Sequence, residues 1–224
     1  MEVSAKKGAQ ISKLAKEIQV ATKLGGADPD SNSRLRMVIE AARAISMPKD
    51  TIERAIKKGS GQLEGGEIFE VLYEGYGPHQ VAVLVECHTD NKNRTAPEMR
   101  TMFKKHGGNL GEMGSVAWMF DRVTLIEGSK TGTFDPEEEA IEAGASEVEE
   151  NPAAKTWSFY GAHEDFDTIR TALVKRGWQV KAAEISYVPK NVTELADEQL
   201  KEAYDFLKQL EDHDDTHRVH ASLK

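Results

Sequence analysis

The chain has a single cysteine, Cys87, among 224 residues. One thiol cannot build a disulfide framework or a thiolate zinc site. Long apolar runs are also missing. Nothing approaches the ~20 residues of a membrane span, and the opening MEVSAKKGAQ lacks the apolar stretch of a signal peptide. Export and membrane insertion are therefore not expected, and a reducing cytoplasm is the expected location. No G-x-S-x-G, H-E-x-x-H, C-x-x-C or dinucleotide-binding fingerprint occurs, so no carrier of enzymatic chemistry or of a cofactor is visible. An overall positive charge is absent too: the formal net charge is −9, which taken whole speaks against a nucleic-acid partner.

That charge is divided unevenly. Residues 1–60 carry twelve Lys and Arg against seven Asp and Glu, which leaves seventeen against thirty-one of the totals of 29 and 38 for residues 61–224. A basic head sits on an acidic body, so a phosphate-bearing partner would be drawn to one end and repelled by the other.

The head reads as three helices. Ile11, Leu14, Ile18 and Ala21 recur at three- and four-residue steps, while Lys6, Lys13, Lys16 and Lys23 fall on the opposite side of the same helix, leaving one stripe to pack and the other to bind. In the second helix Leu35, Val38, Ile39, Ala42 and Ile45 form the buried face, with Arg36 and Arg43 seven apart and away from it. The third runs from Pro48 to Lys58 and ends on Lys57 and Lys58, suited to the negative end of a helix. Gly59, Ser60 and Gly61 then read as a linker.

Beyond Glu67 the period changes to that of strands. IFEVLYEGYGP and QVAVLVEC read as strands, Thr95 to His106 as a helix, and SVAWMF (Ser115 to Phe120) as a strand. A second set follows: VTLIEG, an acidic helix from Pro136 to Glu150, WSFYGA, a helix from Glu164 to Gly177, and VKAAEISYVP. A helix from Leu195 to Leu210 and a last strand, HRVHASL, have no partners in that set and are expected to return to the first. The expected architecture is α+β in three domains: a helical basic domain over residues 1–61, a discontinuous α+β domain over 62–121 and 190–224, and an inserted acidic α+β domain over 122–189.

Three stretches invite chemistry. Thr95-Ala96-Pro97-Glu98 fits a capping box, which would start a helix at Thr95. The loop before it, DNKNR, would then lie at the helix's positive end with Lys92 and Arg94 flanking, an anion site in one reading and a set of Asx-turns and salt bridges in the other. GGNLGEMGS resembles a phosphate loop, but its order is helix, glycine loop, strand, the reverse of what a P-loop needs, so nucleotide binding is rejected there. EDHDDTHRVH gathers His213, Asp214, Asp215, His217 and His220. The spacing matches no familiar metal pattern, so the run reads as an acidic connector and no metal is expected. His79 and His88, flanking one strand, read as surface residues.

Taken together, LGGADPDSNSRLRMVIEAARA, MPKDTIERAIKKG, YEGYGP, TDNKNRT and GGNLGEMGSVAWMF resemble, in that order, the YebC family of probable transcriptional regulatory proteins, related to the mitochondrial translational activator of cytochrome oxidase subunit I. The resemblance runs from about Lys6 to the C-terminus and weakens after Phe120. It implies a helical first domain and two α+β domains, the second discontinuous. It also implies a non-enzymatic regulator of gene expression, DNA-binding in some bacterial members and acting on translation at the ribosome in others, and it brings no catalytic residues. Family members usually open on a longer basic segment resembling GHSKWANIKHRK, where this sequence has MEVSAKKG. If that segment touches phosphates, weaker binding is expected here.

The expected nucleic-acid contacts are Lys6, Lys13, Lys16, Lys23, Arg36, Arg43, Lys49, Arg54, Lys57 and Lys58. The two helices around Ser46-Met47-Pro48 could imitate a helix-turn-helix, but the third carries no Asn or Gln and only Arg54 as a base reader, so backbone contact is expected over sequence readout. DNA and ribosomal RNA are not separable on these residues. A different class of reading gives the acidic run DPEEEAIEAGASEVEE a basic protein partner.

Overall fold

The computed structural model describes the backbone of residues 2–223 and the side chains of residues 7–223, and divides into two compact units: Met1–Phe120 with Pro189–Lys224, and Asp121–Val188. It is an α+β protein with two separate four-stranded sheets.

The first unit opens with three helices, α1 (Glu2–Gly25), α2 (Ser33–Ala44) and α3 (Lys49–Gly59). Asn32 makes the first turn possible. Its side-chain oxygen caps α2 by accepting from the Leu35 N–H at 3.0 Å, while its amide donates to the carbonyls of Ala21 and Gly26, each at 2.8 Å. Ile18, Leu35, Val38, Ile39, Ala42, Met47, Ile52 and Ala55 bury themselves between the three helices, as the helical period requires. The C-terminal end of α3 lies directly against α1. A Cβ on Gly59 would stand 2.5 Å from the Gln19 carbonyl oxygen and 2.8 Å from the Thr22 Cβ. Gly59→Ala should therefore destabilise this unit by about 1–3 kcal/mol despite alanine's better helix propensity, read as a lower thermal midpoint.

The sheet of this unit is ordered β3-β1-β2-β8, from β1 (Phe69–Tyr76), β2 (Ala82–Thr89), β3 (Asn109–Leu110) and β8 (Thr216–Ala221). All three pairings are antiparallel. Two helices, α4 (Lys92–Lys105) and α7 (Asp197–Asp212), cover one face, where Val83, Val85, Cys87, Met99, Phe103, Ala203, Phe206 and Leu210 make the core. Leu84 and His88, pointing to the other face of β2, are buried as well. Burial on both faces explains why β2 is a continuous apolar run and not an alternating one.

The second unit runs β4 (Phe120–Ser129), α5 (Pro136–Ala143), β5 (Glu147–Asn151), β6 (Thr156–Ala162), α6 (Phe166–Lys175), β7 (Gln179–Pro189), with sheet order β5-β6-β4-β7. Ile126, Phe159, Ile169, Leu173 and Trp178 form its core. Beside that core the Glu139 carboxylate accepts from Arg176 (3.1 Å twice), Lys130 (3.0 Å) and the Trp178 indole (2.8 Å). Arg176 above all holds its pKa down, to about 2.

Three expectations about the elements are corrected. The acidic helix does not reach Glu150. Gly144 stops α5 in the left-handed conformation at φ 81°, and Glu147–Asn151 pair with β6 as an edge strand. SVAWMF is not a strand up to Phe120. The N–H groups of Val116 and Ala117 donate to the Glu74 carboxylate and not to a neighbouring strand, and Ala117–Met119 form a 3-10 turn. Finally, α4 does not begin at a Thr95 capping box. Asn91 is the cap, accepting from the N–H groups of Asn93 and Arg94, and Thr95 lies one turn inside.

Candidate nucleic-acid interface

The lysine stripe of α1 is real, but much of it is occupied by the chain itself. Lys13 donates to the Glu211 carbonyl at the C-terminal end of α7, and Lys16 to the Asp214 carbonyl (3.0 Å) and the Asp215 carboxylate (2.5 Å). Unpaired carbonyls and acids at the negative end of a helix attract exactly such ammonium groups without any ligand's help. Burial lowers the Lys13 pKa, and Lys16 retains only 17% of its side-chain exposure. Lys23 pairs with Glu67 and stands over the Phe69 ring. Lys13 and Lys16 are thus engaged within the chain, whereas Lys23 remains exposed with a surface ion pair. The side chain of Lys6 lies outside the described residues.

The loop before α4 shows the same pattern. Its anion is already present and belongs to the protein. Asp215, 2% exposed at its side chain, accepts from Arg94 (2.8 Å), from Thr95 Oγ1 (2.8 Å) and from Thr89 Oγ1 (3.3 Å), in addition to Lys16. Burial would raise this carboxyl's pKa, but the donors from Lys16, Arg94 and Thr95 outweigh burial and hold it well below the usual aspartate range. Arg94 also pairs with Asp90 at 3.1 Å, and Lys92 sits 4.4 Å from the centre of the Phe69 ring. Arg94 is therefore engaged by the chain's own acids, while Lys92 stays exposed beside the Phe69 ring.

His88 is corrected from surface to interior. It is 4% exposed, stacked on His217 with ring centroids 4.2 Å apart and facing Glu70, which Arg34 also holds. Burial takes the His217 pKa down to about 2, so that ring is neutral.

What stays open is the outer side of α2 and α3. Arg43, Lys49, Arg54, Lys57 and Lys58 are exposed and Arg36 is half-buried. Lys49 has only a solvent-exposed contact with Glu53 at 3.6 Å, and among the described residues no carboxylate pairs with Arg36, Arg43, Arg54, Lys57 or Lys58. These cations are fixed on rigid helices, and they extend to the α3 C-terminus. Phosphate oxygens are the ligands that such groups suit, since lysine and arginine offer donors and charge with no acceptor of their own.

The sequence comparisons bear on the whole chain. Residues 1–62 match the family model described as the TACO1/YebC protein N-terminal domain, and residues 68–223 match the TACO1/YebC second and third domain. The chain belongs to the TACO1/YebC family. Among its relatives, a probable transcriptional regulatory protein of Bdellovibrio bacteriovorus is 59% identical over all of this chain and 96% of its own length. One of Geobacter sulfurreducens is 46% identical over 98% of this chain and 88% of its own. The crystal structure of a conserved hypothetical protein from Aquifex aeolicus superposes with a TM-score of 0.88 at 41% identity, covering 99% of this chain and 92% of that one. Relatives named as regulators place this TACO1/YebC chain in a family of regulatory proteins. Among the described residues, no helix is long and apolar enough to cross a membrane.

Two exposed side chains escaped the sequence reading, Met113 at 92% and Trp118 at 65%. Trp118 was hidden by the strand assigned to SVAWMF. The local signal was the glycine spacing of GEMGS, which marks a loop that presents its side chains.

Proposed function

We propose that this protein is a nucleic-acid-binding regulator of gene expression that works in the cytoplasm, without catalysis, by holding the phosphate backbone on Arg36, Arg43, Lys49, Arg54, Lys57 and Lys58. DNA is the leading target, in keeping with the relatives named as transcriptional regulatory proteins. The observation that carries the reading is the contrast within the basic head. Lys16 and Lys23 of α1 pair with the chain's own acids, while Arg43, Arg54, Lys57 and Lys58 are exposed on α2 and α3 and, among the described residues, meet no carboxylate. Arg54 is the sole side chain of α3 suited to reading a base edge, so binding should be nearly sequence-blind.

The test is a salt titration of binding to duplex DNA and to ribosomal RNA. Removing Arg54, Lys57 and Lys58 together should weaken binding uniformly across sequences and lower the log–log salt slope by about two to three, near 0.9 for each lost phosphate contact with duplex DNA. Lys16→Ala should leave the slope unchanged. An unaltered slope in the triple variant would sink the proposal, and binding confined to the RNA would move the target from DNA to the ribosome.

A further inference from the structure

The loop that follows β3 is built with unusual care for a segment whose tip touches so little. Glu74 of β1 is buried, and its carboxylate accepts the N–H groups of Gly114 (2.9 Å), Val116 (2.9 Å) and Ala117 (2.8 Å), while its carbonyl accepts from Gly111 at 2.7 Å. Burial would raise this carboxyl's pKa, and the three N–H donors reverse that and hold it below the ordinary range. A charged acceptor on three backbone donors fixes the loop's course before any ligand arrives. Met113 and Trp118, both largely exposed, are what that fixed loop displays.

The indole has a particular setting. Its one polar group, Nε1–H, donates to the Ser115 carbonyl at 3.0 Å, so the ring is anchored by its own loop and offers a partner only its faces. The Lys190 ammonium donates to the Trp118 backbone carbonyl at 3.0 Å, which brings a cation to the backbone of the residue that carries the ring. The last turn of α4, with exposed Lys104 and Lys105, leads through Gly107 and Gly108 into β3 and so reaches the same edge of the sheet. Aromatic faces interleaved with ammonium groups are the chemistry of single-stranded nucleic acid: bases stack on rings while cations follow the phosphates. A duplex keeps its bases stacked on one another and cannot use the indole.

We infer that this edge is a second nucleic-acid site, distinct from the α2–α3 face, at which an unpaired base stacks on Trp118 beside Met113 and the adjoining phosphates meet Lys104, Lys105 and Lys190. The inference rests on the nucleic-acid reading above and adds to it a preference for single strands. Because the indole's donor is engaged internally, stacking is tolerant of base identity.

The experiment uses the full chain with three probes: oligothymidylate, an abasic strand of equal length, and a duplex. Oligothymidylate should quench the intrinsic fluorescence. The three tryptophans are Trp118, Trp157 and Trp178, and Trp157 and Trp178 belong to the core of the second unit, so loss of the quench in Trp118→Phe assigns it. Trp118→Ala should weaken single-strand binding about tenfold, Trp118→Phe should retain most of it, and duplex binding should stay at the parent level in both. Equal binding of the single strand by Trp118→Ala, or equal binding of the abasic strand and oligothymidylate by the parent, overturns the site. So does loss of self-association in Trp118→Ala with strand binding intact, which would make the loop a contact between copies. Duplex binding that survives any of these results leaves the α2–α3 proposal standing, whereas a parent protein that binds none of the three probes removes both.

Discussion

Asp215→Asn should lower the stability of the first unit by about 3 kcal/mol at neutral pH, a fall of roughly 10 °C in its thermal midpoint. The substituted side chain keeps its size but loses the charge that balances Lys16 and Arg94, and an amide can face only some of the four donors that converge there. Lys16 suffers most, since it is largely buried, whereas the half-exposed Arg94 can turn to water and to Asp90. The effect has a pH signature. The carboxyl's folded pKa is depressed, so its stabilisation is complete above the unfolded aspartate value near 4 and is lost as pH falls toward the folded one. Denaturant titrations should therefore show the parent and variant converging in acid and separating above about pH 4. A constant difference across that range would mean that packing, and not charge, explains the loss.

Glu74→Gln should cost a comparable amount, about 2–4 kcal/mol, because the amide that replaces one carboxylate oxygen turns its own N–H groups on the N–H donors of the loop. Val116 is buried with its N–H aimed at this group, so water cannot take over. The expected observation is rapid amide exchange at Gly114, Val116 and Ala117 together with a lower thermal midpoint, and protection retained at all three amides would contradict the clamp. Single-strand binding should weaken in step, since the loop would no longer hold Trp118 in place.

Much of the fold was written in local periodicity. The three helices of the head announced themselves through residues such as Leu35, Val38, Ile39 and Ala42, whose spacing needs no knowledge of the rest of the chain. β2 was legible because burial on both faces leaves no polar alternation to obscure it. β5 was not. Its sequence, EVEEN, offers Val148 as its one inward apolar residue, and an edge strand needs no more than that. The Thr95 capping motif misled because Asn91, four residues earlier, caps the amides of Asn93 and Arg94 and so starts the helix one turn sooner, leaving the threonine hydroxyl for Asp215.

The site was harder to read than the fold, and for one physical reason. Charged residues declare their type in the sequence but not their partners. Lys13 and Lys16 look identical in pattern to phosphate-binding lysines, and only the return of the chain 198 or 199 residues later shows what neutralises them. Glu74 likewise gives no local sign that it will clamp backbone 40 residues on. Arg36, Arg43, Arg54, Lys57 and Lys58 remain candidates because, among the described residues, no carboxylate from elsewhere in the chain pairs with them.

The position of β8 sets an order of events during synthesis. All strands of the second unit have left the ribosome by Pro189, whereas the first unit still lacks α7 and β8, the strand that lies along β2. Until those last residues emerge, one edge of β2 keeps its amides and carbonyls unpaired, Val83, Val85 and Cys87 are without α7's cover, and Lys16 and Arg94 wait for Asp215. The inserted unit is thus free to finish folding first, although its sequence begins after most of the other. A premature stop between Pro189 and Thr216 would yield a chain whose inserted unit is intact and whose basic head has no sheet edge sealed beneath it, a substrate for chaperones and proteases and not a weaker regulator.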